Sequence, residues 1–170
     1  MRTLISLVVV ALAFTVSPGG VWAQGGAEQT RTTPHYRIVL EIGPVATMLM
    51  PEQAVGAKEG EVMVHMPGMP MAMGMTDQGR PVNHHLEVHI YDKGTGGVVA
   101  NVVPKIALTN HATGKSRPLP SVAAMYDVKE GQKDLHFGGN LFLSEGKYAV
   151  RVRLGNETAV FKDIAVTDRQ

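Results

Sequence analysis

The sequence predicts an all-β fold, a single antiparallel β-sandwich. Runs rich in β-branched residues recur between turn-forming segments that contain Gly, Asn and Pro. The runs are short, and no long stretch has the 3.6-residue period of an amphipathic helix. Short strands alternating with such turns are typical of a β-sandwich. Strands are predicted over residues 36–42, 61–66, 85–91, 105–110, 141–143, 147–154 and 157–166.

The last two predicted strands form the most regular hairpin. Between Lys147 and Leu154 the apolar residues Tyr148, Val150 and Val152 alternate with polar or small ones, so one face should enter the core. Gly155 and Asn156 then turn the chain. In contrast, residues 43–60 fit a strand end, a short helix or a loop.

The N-terminal residues predict export. Residues 1–23 combine a basic residue, an apolar stretch and a small-residue cleavage site, the pattern of a secretory signal peptide. The apolar stretch, residues 4–16, is shorter than the roughly 20 residues that span a bilayer, and no later segment predicts direct membrane insertion. Residues 24–34 are polar and predict a flexible tail, which leaves residues 35–170 as the β-sandwich domain. We therefore expect a periplasmic or secreted protein.

Composition excludes several classes of function. Without residues 1–23 the chain carries fifteen basic and fifteen acidic residues, a balance that favours no nucleic-acid partner. It has no cysteine, so a metal site would lack thiolate, which disfavours a blue-copper centre. The sequence contains no Gly-x-Ser-x-Gly elbow, His-Glu-x-x-His helix or glycine-rich phosphate loop. We expect a protein that is not an enzyme.

Residues 65–92 concentrate soft metal ligands. They contain five of the ten methionines and four of the seven histidines of the chain. Thioether with imidazole suits Cu(I), and with a carboxylate it also suits Cu(II). The prolines and glycines among these methionines prevent a regular core element, so Met71, Met73 and Met75 become candidate ligands on a loop. The alternative is that the methionines fill core gaps or form an adaptable surface, as in a β-sandwich interaction module.

The predicted strand HLEVHIY has a polar face that could supply some of the ligands of a metal site. Alternation places Leu86, Val88 and Ile90 toward the core. The opposite face then carries the candidate ligands His85, Glu87 and His89, together with Tyr91. Side chains two residues apart lie about 6.6 Å apart, whereas the two histidines are about 13 Å apart and could not share one ion on a flat strand. We expect Glu87 to act with one histidine. A solvated sheet face is the alternative.

A distant ligand is expected at His136. It precedes Gly138 and Gly139, a pair that indicates a bend or a close backbone approach at the end of a strand. Antiparallel pairing could then bring His136 to the first strand, although a turn histidine bonded to backbone would look the same. His35 and His111 lie beside a tail and a turn, and we expect them to be solvated.

Three segments, HLEVHIY, LPSVA and DLHFGGN, occur in an order that resembles the periplasmic ferrous-iron transport protein family, an accessory to high-affinity iron uptake. The resemblance covers roughly residues 85–155 and, weakly, 36–84. In that family the corresponding segments are His-Leu-Glu-x-Asp-Ile-His, Met-Pro-Met-Val-Ala and Pro-His-Tyr-Gly-x-Asn. It implies an immunoglobulin-like sandwich, commonly a homodimer, with copper held by His, Met and Glu and a membrane metal permease as partner.

Carried over by position, the resemblance assigns His85 and Glu87 from the first segment and His136, Gly138 and Asn140 from the last. The second family histidine corresponds to Tyr91, with His89 displaced, and Met-Pro-Met corresponds to residues 119–121, Leu-Pro-Ser. The missing thioether would come from Met125 or from the loop methionines. We thus predict an exported carrier or transport accessory that handles copper, alone or together with ferrous iron.

Overall fold

The computed structural model of the chain describes residues 28–69 and 74–167, which form thirteen strands. In chain order these are β1 (Gln29–Thr32), β2 (Tyr36–Gly43), β3 (Met48–Leu49), β4 (Glu61–Val64), β5 (Thr76–Asp77), β6 (Arg80–Pro81), β7 (His84–Asp92), β8 (Lys105–Asn110), β9 (Ser116–Pro118), β10 (Ala123–Asp127), β11 (His136–Leu141), β12 (Gly146–Leu154) and β13 (Glu157–Val166). Two short 3₁₀ helices span Pro51–Gln53 and Gly131–Asp134. None of the helices in these residues is long and apolar enough to cross a membrane.

The strands form a seven-stranded and a four-stranded sheet. The larger sheet has the order β1-β2-β7-β11-β10-β4-β3, and the smaller has the order β13-β12-β8-β9. Neighbouring strands are antiparallel except for β3 and β4, which are parallel. Strands β5 and β6 make a separate two-stranded ribbon. The predicted all-β sandwich is confirmed.

The core lies between the two sheets. Leu86, Val88 and Ile90 of β7 are fully buried there, as alternation along the strand predicts, and they belong to one cluster with Val150 and Phe161 of the smaller sheet. Burying a side chain of this size contributes roughly 1.5–3 kcal/mol. This packing fixes the orientation of β7, so that its alternate residues point away from the core.

Some predicted boundaries are wrong. Of the predicted strand 141–143 only Leu141 lies in a strand, β11, which begins at His136, and β10 was not predicted at all. Within the predicted tail 24–34, residues Gln29–Thr32 form an edge strand on β2, because ladder hydrogen bonds and the stacking of Arg31 over the Phe161 ring hold a polar segment. Residues 43–60 combine β3, a 3₁₀ helix and loops. The predicted signal peptide, residues 1–23, lies outside the described residues.

The outer face of the larger sheet is covered around its histidines. The side-chain amide of Asn140 on β11 donates a hydrogen bond to the carbonyl oxygen of Ala46 at 2.9 Å. Its oxygen accepts a second one from the backbone N–H of Ala46 at 3.1 Å. These two bonds tie the loop after β2 across this face. On the other side, the carboxylate of Asp134 accepts from the N–H of Asp127 at 3.2 Å and so ties the 3₁₀ helix down. His85, His89 and His136 on this face are therefore removed from water, whereas Glu87 stays partly exposed.

Candidate metal site

One row of side chains crosses four strands on this covered face. Strand pairing places His136 opposite both His89 and Met125, and Met125 opposite Met63. Residues directly opposite in an antiparallel sheet share a face, with their Cβ atoms about 4.5–5.5 Å apart. All four are buried. The row brings two imidazoles and two thioethers together from four separate strands.

The two methionines of this row belong to the site face. Met63 and Met125 are almost fully buried, yet neither is part of the hydrophobic cluster between the sheets. Met69 is a member of that cluster and Met66 packs against it, so these two fill core gaps, as the alternative interpretation holds. Met75 is 75 % exposed. The candidate ligands Met71 and Met73 lie outside the described residues.

Three ligand-type side chains converge around β7 and β11. His85, Glu87 and His136 can each offer one atom such that all these atoms lie within 4.8 Å of one another. The Nε2 atom of His85 lies 3.8 Å from Oε1 of Glu87. Gly138 stands opposite Glu87 in the ladder, so no side chain from β11 intrudes at that position. The structure thus brings together three of the residues that the sequence singles out.

Hydrogen bonds orient both imidazoles of this triad. The Nδ1 atom of His85 lies 2.9 Å from Oδ1 of Asn140, and Nδ1 of His136 lies 2.9 Å from the carbonyl oxygen of Asp134. A ring that donates through Nδ1 presents an unprotonated Nε2, which is the usual arrangement of a metal-binding histidine. In the neutral form of each ring, Nε2 is the atom free to bind a cation.

Several buried polar atoms of the site lack a hydrogen-bond partner within the described part of the chain: Oε2 of Glu61, Nε2 of His85, Nδ1 of His89 and Nε2 of His136. Leaving such a group unsatisfied costs about 1–3 kcal/mol. Nε2 of His136 and Oε2 of Glu61 are 3.4 Å apart, close enough to attract but beyond a well-formed hydrogen bond. These unsatisfied atoms lie together in a place where a cation could supply their partner.

A second triad shares His136. His89, Asp134 and His136 also offer atoms that lie within 4.8 Å of one another. Nδ1 of His89 is 3.8 Å from Oδ1 of Asp134, and Nδ1 of His136 is 3.5 Å from Oδ2. His85 and His89 fall in different triads, as their spacing along β7 predicts. The polar cluster therefore extends on both sides of the His136 ring.

The electrostatics of the cluster favour anionic carboxylates beside β7. Burial raises the pKa of Glu87, but the neighbouring imidazoles of His89, His136 and His85 outweigh it and hold that pKa below its usual value. Burial also raises the pKa of Asp134, but the hydrogen bonds with His136 and with the backbone of Asp127, together with the charges of His136 and His89, outweigh it and lower that pKa. Burial lowers the pKa of His85, which keeps this ring neutral and able to coordinate.

Two further groups hold protons that a cation would displace. Burial alone would lower the pKa of His136, but Asp134, Glu87 and Glu61 together raise it to about 9. Burial raises the pKa of Glu61 to about 7, with a partly compensating attraction to His136. Because a metal ligand must be deprotonated, binding at His136 should release a proton at neutral pH.

Sequence reasoning missed Glu61, Asp134 and the site role of Met63. Alternation along EVMVHM would have put Glu61 and Met63 on one face, and Asp134 lies two residues before His136. His35 is 76 % exposed and His111 is 37 % exposed, so both lie outside the cluster as predicted. The sequence gives no local sign that Glu61 should meet His136, since their strands are joined only through β10.

Comparisons with known proteins give little further information. No family model matches the chain and no curated protein matches it. Among solved structures, FetP of a uropathogenic Escherichia coli strain, crystallised "as isolated" after recombinant expression in the periplasm of E. coli, is similar with a TM-score of 0.49 and 13% sequence identity over 86% of this chain and 100% of that chain. At these values the function has to be inferred from the geometry of the site itself. The family resemblance of the sequence stays a prediction.

Proposed function

We propose that this protein binds a copper ion on the outer face of its larger sheet, between His85, Glu87 and His136. Two observations carry this proposal: these three residues offer ligand atoms within 4.8 Å of one another, and the Nε2 atoms of both histidines are buried without a hydrogen-bond partner in the described part of the chain. A cation there would supply the missing partner for both rings and neutralise the carboxylate. The hydrogen bonds of both Nδ1 atoms already hold the rings in position.

The donor set favours copper over calcium and magnesium. Calcium and magnesium prefer all-oxygen coordination, whereas this cluster offers imidazole nitrogen. Met125 stands opposite His136 in the ladder, so a thioether borders the imidazoles, and soft thioethers favour copper. The carboxylates of Glu61 and Asp134 add harder donors next to the same ring. Those oxygens support ferrous iron as an additional ion.

We infer a carrier or transport accessory rather than a catalyst. Both proposed histidine ligands are buried and Glu87 is only partly exposed, an arrangement that retains an ion more readily than it admits an organic substrate. Export to the periplasm or outside the cell, delivery to a membrane metal permease and a homodimeric state all belong to this proposal, and they rest on the sequence patterns alone. The competing function is a β-sandwich interaction module that binds no metal.

Copper titration of the untagged mature chain tests this function. Cu(II) is added in competition with a chelator of known affinity, and the wild type is compared with His85→Ala and His136→Ala. His111→Ala is the matched control, because this exposed histidine lies outside the cluster. We expect stoichiometric binding by the wild type and the control, and a loss of about 100-fold or more in affinity for the two site variants. Binding that is absent, or equal in all four proteins, would favour the interaction module.

A further inference from the structure

A cavity of about 240 Å³ borders the imidazole cluster and is lined by three methionines, Met48, Met63 and Met75. Its inner wall includes Gly138 and Asn140 of β11, the strand that begins at His136. Neither triad described above contributes a ligand to it. The cavity is thus next to the site but chemically different from it.

Met63 connects the cavity to the row of ligands that crosses the sheet. Gly138 of the cavity wall stands opposite Glu87, and a Cβ atom there would meet the carbonyl oxygen of Leu86, so this glycine allows the close approach of β7 and β11. Met63 occupies the neighbouring row with Met125 and His136. The inner end of the cavity therefore reaches the row of ligands that crosses the sheet.

The three methionines lie at graded depth. Met75 is 75 % exposed, Met48 is half-buried and Met63 is almost fully buried. Met48 pairs with Glu61 in the parallel ladder, which puts it on the same face as Met63. The described lining residues include no His, Asp or Glu. Thioethers are thus the only strong soft-metal ligands available in this lining.

We propose that this cavity is a separate loading site for a soft monovalent ion, Cu(I), held by the thioethers of Met48, Met63 and Met75. Uncharged sulfur ligands select Cu(I) over divalent ions. Divalent ions would instead bind to the cluster of imidazoles and carboxylates. The ion would enter past Met75 and reach Met63, beside Met125, without a change of oxidation state. The role as a loading site rests on the proposed function, but binding in the cavity does not.

Silver tests the cavity, because Ag(I) is a soft ion that does not change oxidation state under these conditions. The mature protein is labelled with ¹³C at the methionine methyl groups and titrated with Ag(I). The resonances of Met48, Met63 and Met75 should shift, whereas those of the core methionines Met66 and Met69 should not. Unshifted Met48 and Met75 would overturn the proposal.

A double variant separates this site from the imidazole cluster. Met48→Leu with Met75→Leu removes two ligands, so Ag(I) affinity should fall by about 100-fold or more, while Cu(II) affinity stays at the wild-type value. Met66→Leu is the matched control and should change neither. Unchanged Ag(I) affinity in the double variant would refute the cavity site and leave the proposed function standing. Silver binding in a wild-type protein that fails to bind Cu(II) would refute the proposed function and leave the cavity site standing.

Discussion

Replacing Gly138 by Ala tests whether β7 and β11 approach as closely as the site requires. A Cβ atom at Gly138 would lie 1.7 Å from the carbonyl oxygen of Leu86 and 3.2 Å from Cα of Glu87. Real Cβ contacts essentially never fall below 3.0 Å, so the strands must separate by about 1.3 Å. Overpacking of a well-packed region costs typically 1–3 kcal/mol, and each weakened ladder hydrogen bond adds about 0.5–1.5 kcal/mol. We expect a loss of roughly 3 kcal/mol in the free energy of unfolding.

Thermal and urea unfolding of the apo protein measure this loss. For a chain of this size, roughly 3 kcal/mol corresponds to a fall in Tm of about 6–12 °C. Gly43→Ala is the matched control: this glycine also pairs with β7, opposite His85, but a Cβ there meets nothing within 4 Å. The control should stay within about 0.5 kcal/mol of wild type. A Gly138→Ala protein with wild-type stability and copper affinity would refute the close approach on which the site geometry depends.

Further predictions concern the two faces of β7, pH and the orientation of His85. Leu86→Asp should unfold the domain because it places an unpaired charge in the core. His85→Ala should lose copper affinity with a much smaller change in the Tm of the apo protein. Equal destabilisation by both variants would show that the faces of β7 are misassigned. The raised pKa of His136, about 9 in the folded apo protein, means that the stability from its proton is fully present below about 6.5 and is lost as pH rises through about 9. Conversely, Cu(II) affinity should rise about tenfold per pH unit between pH 7 and 9 and then level off, and a flat profile in this range would count against His136 as a ligand. Asn140→Leu should weaken copper binding by about 10- to 100-fold because His85 loses its Nδ1 partner; unchanged affinity would mean that this hydrogen bond does not position the ring.

The faces of β7 could be predicted from the sequence because strand alternation is a local property. Leu86, Val88 and Ile90 are spaced by two residues, and the same spacing puts His85, Glu87 and His89 on the opposite face whatever the rest of the fold does. The close approach at Gly138 was also predictable, since glycine inside a strand has few other reasons to occur.

The remaining ligands could not be predicted, because they reach the site through long-range pairing. Met125 lies beside His136 only because β10 pairs with β11, and Glu61 arrives through β4, the next strand across. No local pattern contains that order of strands. Burial of the polar face was equally hidden, since the covering loop is held by a contact between Asn140 and Ala46, 94 residues apart. The solvated-face alternative was therefore a reasonable interpretation of β7 by itself.

The most direct test of the proposed site is a crystal structure of the mature protein loaded with Cu(II), with anomalous diffraction collected at the copper absorption edge. We predict an anomalous peak between the Nε2 atoms of His85 and His136 and the carboxylate of Glu87, with the Nδ1 hydrogen bonds of both rings retained. A peak at the exposed His35 or His111 and none between β7 and β11 would contradict the site.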